Sequence, residues 1–253
     1  MRPSRLLFSL VAAWLSCLGA VATRAEGLQV VTEELPPYSM TVNGQVTGLC
    51  TELVQATLKQ AGLDAPVQVM PWARAYDLAL HVGNVLIFSI GRTPEREALF
   101  QWVGRLVPGR WYLYALASPS HPAPLANLAS ARARQVATVN QDVGEQYLRA
   151  NGFRIGRNLQ SSSRYALDYE KLKGGHVDLW VSDELSAHYI VRQAGDDPAL
   201  TLVTALPLPE LSQGTFNLAM SRGTPAATVE RLRQALAQIH QNGTYDAILK
   251  KWL

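Results

Sequence analysis

Cysteine is nearly absent from this chain: 253 residues carry two, Cys17 and Cys50. Only the first 25 residues contain an apolar run approaching the roughly 20 residues that a membrane-spanning helix needs. The five histidines, His81, His121, His176, His188 and His240, show no metal-ligand spacing such as H-E-x-x-H, and no metal role is assigned to them. There is no G-x-S-x-G, no phosphate loop and no nucleophile beside a base, which argues against hydrolysis and phosphoryl transfer. Internal repeats and low-complexity tracts are also missing.

The formal net charge of +3 comes largely from one end. Residues 1–25 read as an export signal: Arg2 and Arg5 form a charged start, Leu6 to Ala22 is apolar, and Ala20, Ala22 and Ala25 are small residues suited to cleavage. Ser9, Ser16, Cys17 and Gly19 dilute the run, unlike a membrane anchor. Removing this segment takes Arg2, Arg5 and Arg24 from the 23 basic residues and leaves 20 against 20 acids. A neutral mature chain gives no reason to expect nucleic acid or anionic lipid as partner. Trp14 stands where a lipoprotein signal places leucine, so Cys17 is expected to leave with the signal. Cys50 is then alone, and no intrachain disulfide can form.

What is present is an alternation of strand and helix, which implies α/β layers with parallel pairing. LQVVT from Leu28 reads as a strand, Gly48 to Ala61 as a helix, Pro66 to Met70 as a strand, Trp72 to Val82 as a helix and Val85 to Ile90 as a strand. Cys50, Val54, Thr57 and Ala61 share one helical stripe, a core position for the thiol. Trp111 to Ser118 is extended and apolar and is followed by the Pro-rich SPSHPAP. The alternation then restarts with Val136 to Val139, a capped helix from Asp142 to Ala150, a helix from Ala166 to Lys173, a strand from Val177 to Val181 and a helix from Asp183 to Gln193. Thr215 to Met220 is extended again. Thr224-Pro225 opens a helix with Val229, Leu232, Leu236 and Ile239 on one face, and a short amphipathic stripe closes the chain.

The stretch Ile87 to Gly104, IFSIGRTPEREALFQWVG, organises the rest. Thr93-Pro94 predicts a helix start with Arg96 in its first turn, where a cation opposes the helix dipole unless something negative compensates. A bound carboxylate would compensate, facing both the guanidinium and free N–H groups. Pairing with Glu95, Glu97 or another surface acid is the structural alternative.

Three segments together resemble the family 3 solute-binding proteins of bacterial ABC transporters: PPYS at Pro36 to Ser39 with the following GQVTGLCTELVQATLKQAGL, TPERE at Thr93 to Glu97 with FQWVG, and the terminal NGTYDAILKKW. The resemblance implies a two-lobed periplasmic binding fold with two crossing hinge strands and a ligand cleft between the lobes. The first lobe would be residues 26–109 plus 221–253, the second 119–214, and the crossings 110–118 and 215–220. It further implies that Arg96 clamps a ligand carboxylate, Asp183 receives an ammonium and Tyr38 walls the cleft. Gly91 and Val143 depart from the pattern, standing where many members place a serine and a threonine. Arg74, Arg92, Glu34 with its neighbour Glu33, and Trp72 are further candidates: the arginines for a ligand with additional negative charge, the acids for a cationic tail, the indole for stacking. Strand alternation lets only one of Glu33 and Glu34 face the cleft. The implied function is periplasmic capture of a small polar metabolite, an amino acid or related compound, by a cofactor-free monomer that delivers it to an ABC-type permease. The same fold would also suit a cyclohexadienyl-dehydratase-like enzyme or the ligand-sensing partner of a receptor.

Overall fold

The computed structural model describes residues 27–117, 124–212 and 215–253; the export signal expected at residues 1–25, with Cys17, lies outside them. Two sheets form separately. The first half of the chain supplies β1 (Gln29–Thr32), the hairpin β2 (Met40–Val42) and β3 (Gln45–Thr47), α1 (Leu49–Gln60), β4 (Val67–Val69), α2 (Trp72–His81), β5 (Val85–Gly91) and β6 (Phe100–Pro108). Next come β7 (Trp111–Leu116), α3 (Leu128–Ala131), β8 (Val136–Val139), α4 (Val143–Ala150), β9 (Leu159–Ser162), α5 (Tyr165–Lys173), β10 (Leu179–Asp183), α6 (Glu184–Gln193), α7 (Pro198–Thr201), β11 (Leu202–Pro207) and α8 (Pro209–Ser212). The chain closes with β12 (Thr215–Ser221), α9 (Ala226–Gln241) and α10 (Thr244–Trp252).

The first sheet has the order β4-β1-β5-β12-β6 and the second β11-β7-β10-β8-β9. β1 runs parallel to β4 and β5, and β8 runs parallel to β9 and β10. β12 is antiparallel to both β5 and β6, and β7 is antiparallel to β10 and β11. The protein is therefore a two-lobed α/β structure. Of the two segments expected to cross, Trp111–Leu116 runs inside the second sheet and Thr215–Ser221 inside the first. The chain leaves the first sheet after Pro108 and enters the second at Trp111; its last strand in the second sheet ends at Pro207, and Thr215 begins its return to the first.

The central strand β5, VLIFSIG, is buried along six of its seven residues, as a parallel strand covered on both faces must be. α1 turns Leu49, Cys50, Leu53, Val54, Thr57 and Leu58 inward, so Cys50 is a core residue, as its stripe predicts. α9 buries Val229, Leu232, Leu236 and Ile239 on one face. The expected helix at Thr93–Arg96 is a turn followed by one short 3-10 segment, Glu97–Leu99, because β6 begins at once at Phe100. Among the described residues no helix is long and apolar enough to cross a membrane.

One glycine positions the site. Gly48 has φ of 123°, and a Cβ there would lie 2.5 Å from the Tyr38 carbonyl oxygen. That carbonyl accepts the Cys50 and Thr51 N–H groups at 2.8 and 3.1 Å, fixing the Tyr38 turn to the start of α1. Strain and overpacking coincide here, so Gly48→Ala is expected to cost about 2–4 kcal/mol. An unchanged denaturant midpoint would contradict this account.

Candidate functional site

In a mostly parallel sheet the loops after the carboxyl ends of the strands line the ligand crevice. Four such ends meet here. Glu33 follows β1, Gly91 ends β5, Gln141 and Asp142 follow β8, and Asp183 ends β10 and caps α6 through the Ser186 N–H at 3.1 Å. The Tyr38 hydroxyl reaches across the lobes and donates to Asp183 Oδ1 at 2.9 Å. The Trp72 indole N–H donates to the Gln141 carbonyl at 2.9 Å.

Arg96 lies at the centre and is 1% exposed. Its Nε donates to Gln146 Oε1 at 2.9 Å, Nη1 to the Gly91 carbonyl at 3.2 Å and Nη2 to the Gln141 carbonyl at 3.2 Å. The guanidinium also sits 4.8 Å from the Tyr76 ring centre and 5.6 Å from that of Trp72, cation–π distances. Burial lowers its pKa, while Tyr76, Asp142, Tyr165 and Glu33 favour the charged form.

Around this one cation lie buried acids. Burial, then Asp142, raises Glu33 well above the usual carboxylate range, and Arg96 acts in the opposite direction. Asp183 is fully buried and pushed up to about 6 by burial, opposed by hydrogen bonds from the Ser186 N–H and Tyr38. Asp142 is likewise pushed up to about 6 by burial, against the Glu145 N–H, the Tyr165 hydroxyl and Thr138. Burial also raises Asp168 well above the usual range. The Ser162 hydroxyl, which also lies 3.0 Å from the Arg164 carbonyl, favours its charged form. The Ser186 hydroxyl and the Leu185 N–H add to the groups that favour the charged form of Asp183.

A cavity of about 440 Å³ opens between the lobes, with Trp72 on one side and Asn140, Ile155 and Ser161 to Ser163 on the other. A larger groove of about 570 Å³ lies between β6 and α9, and neither lining includes one of the buried acids.

Residues 28–253 match the profile of the bacterial extracellular solute-binding proteins, family 3. The chain belongs to this family. Among solved structures it is similar to a histidine kinase sensor domain that resembles periplasmic binding proteins (23% identity, 89% of this chain and 96% of that one, TM-score 0.76). It is also similar to an ancestral arginine-binding protein bound to arginine (21%, 90% and 98%, TM-score 0.76). A third is the substrate-binding protein of an amino acid ABC transporter (17%, 90% and 99%, TM-score 0.71). None of the curated proteins matches the chain.

Of the positions carried over from the family 3 proteins, the structure brings Arg96, Asp183, Tyr38 and Trp72 together and leaves three apart. Arg92 is half-exposed and forms a bidentate pair with Glu97, at 2.7 and 2.5 Å, with Trp102 beneath it. Arg74 is exposed on α2. Glu34 turns back to its own hairpin, accepting the Thr41 N–H at 2.8 Å, so Glu33 is the acid that faces inward. The two departures from the family pattern touch each other. A Cβ on Gly91 would meet Val143 Cγ2 at 3.2 Å, so an apolar contact across the lobes fills the space where two hydroxyls were expected.

Sequence reasoning missed Tyr76, Gln146, Phe216 and Asp168. Tyr76 was findable, one helical turn after Trp72. Phe216, whose ring centre is 4.5 Å from that of Tyr38, comes from the far end of the chain and carries no local signal.

Proposed function

We propose that the protein captures a small polar solute bearing a cationic nitrogen, an amino acid or related compound, in the cleft between its lobes. It does so in the periplasm, as a monomer, and hands the closed form to an ABC-type permease. The two connections between the sheets serve as the hinge. The observation that carries this reading is Asp183: it ends a strand of one lobe and accepts the Tyr38 hydroxyl of the other, so a carboxyl sits where the two lobes meet. A ligand held by both lobes favours closure because it gains both sets of contacts only when they meet. The similarity to a protein bound to arginine supports the class of ligand, and that to an amino acid transporter's binding protein supports delivery.

Calorimetric titration of refolded protein against amino acids and amines tests this. Saturable one-to-one binding is expected, weakened about 10- to 100-fold in Asp183→Asn, the worth of one charge-assisted hydrogen bond. Binding indifferent to that change would sink the site. The sensor-domain similarity favours a second reading, in which the closed protein docks on a receptor. Loss of solute uptake in a deletion strain decides for transport. Turnover of a cyclohexadienyl substrate would move the protein to the enzymes.

A further inference from the structure

The cavity between the lobes bears on which side chain a solute can carry, and this rests on the binding reading proposed above. Two strand ends build one wall. β8 and β9 pair in parallel with Val139 opposite Ser162, and the Asn140 N–H donates to the Ser162 carbonyl at 2.8 Å. Asn140 and Ser161 to Ser163 therefore stand side by side at the carboxyl edge of the second sheet. The start of α2 faces them with Trp72.

None of the residues lining this cavity is ionisable. Two acids are in touch with the lining serines: the Ser161 hydroxyl donates to Glu145, and the Ser162 hydroxyl favours the charged form of Asp168. Both carboxyls are fully buried, and neither reaches the cavity wall. The charged residues next to the lining in sequence are Arg74, Arg154 and Arg164, all basic and all exposed. A guanidinium or ammonium brought into the cavity would give up water and meet no carboxylate, which is costly. An uncharged polar group fares better. The Asn140 amide both donates and accepts, a serine hydroxyl does the same, and Trp72, Val139 and Ile155 give the aliphatic part of a side chain apolar contacts.

We infer that the side chain of the bound solute, the part that fills this cavity, is uncharged. An amide, ureido or hydroxyl-bearing chain is selected over a basic chain of the same length, because only the basic one is left buried without its counter-charge.

Pairs of equal length differing in side-chain charge test this by calorimetry on the refolded wild-type protein: citrulline against arginine, and 6-hydroxynorleucine against lysine. The neutral member is expected to bind at least tenfold more tightly in every pair that binds. Ser163→Asp adds a carboxylate to the lining at an exposed position and is expected to move the citrulline-to-arginine preference at least tenfold toward arginine. Equal or tighter binding of the basic member by the wild type would overturn the inference. So would a preference that Ser163→Asp leaves unmoved, or binding of acidic solutes alone. In each of these cases, binding that still weakens in Asp183→Asn keeps the cleft reading. No binding by any amino acid or amine would remove both.

Discussion

Arg96→Met is expected to lose roughly 3–5 kcal/mol of folding stability, the range for removing one partner from a buried charged network. Methionine keeps much of the volume, so the loss reports charge and hydrogen bonding more than a cavity. Three things disappear together: the bonds to Gln146 and Gln141 from the second lobe, the bond to the Gly91 carbonyl, and the only buried cation among the described residues that offsets Glu33 and Asp142. Because two of those partners lie across the lobes, the variant is also expected to open, with a larger radius of gyration in solution scattering. Arg92→Met is the control. Its guanidinium is half-exposed and paired with Glu97, so it should cost no more than about 1 kcal/mol. If the two variants were equally stable, the buried guanidinium would not be what holds the lobes together.

The second large effect is on pH. Asp142 and Asp183 are held at about 6 in the folded protein, against an ordinary value of 3.8. A carboxyl whose pKa is raised by folding binds its proton more tightly when folded, so its contribution is complete below pH 3.8 and is lost as pH rises through 6. A rise of about two units is roughly 3 kcal/mol for each group. Glu33 and Asp168 are shifted in the same direction. The ligand-free protein should therefore have a lower urea midpoint at pH 7.5 than at pH 5, and Asp142→Asn should reduce that slope. A cationic ligand reverses the preference, because it holds the carboxylates ionised. Its affinity should be roughly tenfold weaker at pH 5 than at pH 7.5 for each carboxyl it neutralises, with proton release on binding in between. The groups facing Asp183 are Tyr38 and Glu33, and those facing Asp142 are Tyr165, Arg96 and Glu33, none of which reverses the sign. A midpoint that rises from pH 5 to 7.5 would contradict the account.

Periodicity carried most of the fold. The α1 stripe with Cys50, the α9 face, and the caps at Asp142 and Asp183 are visible in the residues because each depends on neighbours within a turn or two. Failures of reading came where a short-range signal was overridden or had no range at all. Thr93-Pro94 has the chemistry of a helix start, but only a few residues separate it from β6, and a strand won. Asn43-Gly44, both at positive φ, spell a hairpin turn, and that hairpin decides which of the two adjacent acids faces inward. Asp183 and Tyr38 are 145 positions apart. No local pattern reports that contact; the resemblance to a family implied a cleft role for each residue but not that they pair. Even so, the resemblance could not show that Gly91 and Val143 compensate each other sterically, since that is a property of the pair.

β12 sits between β5 and β6 in the middle of the first sheet, yet it is made after the whole second sheet. The second sheet draws its strands from one continuous stretch, 111–207, whereas the first cannot be completed until residue 215 and beyond have emerged. A chain threaded through a membrane from its amino end would thus finish its later-encoded lobe first and hold strands β1 to β6 with a gap in their midst. That gap exposes two edges able to pair with another chain. The order of synthesis leads to the expectation that the first lobe is the slower and more aggregation-prone half of the molecule.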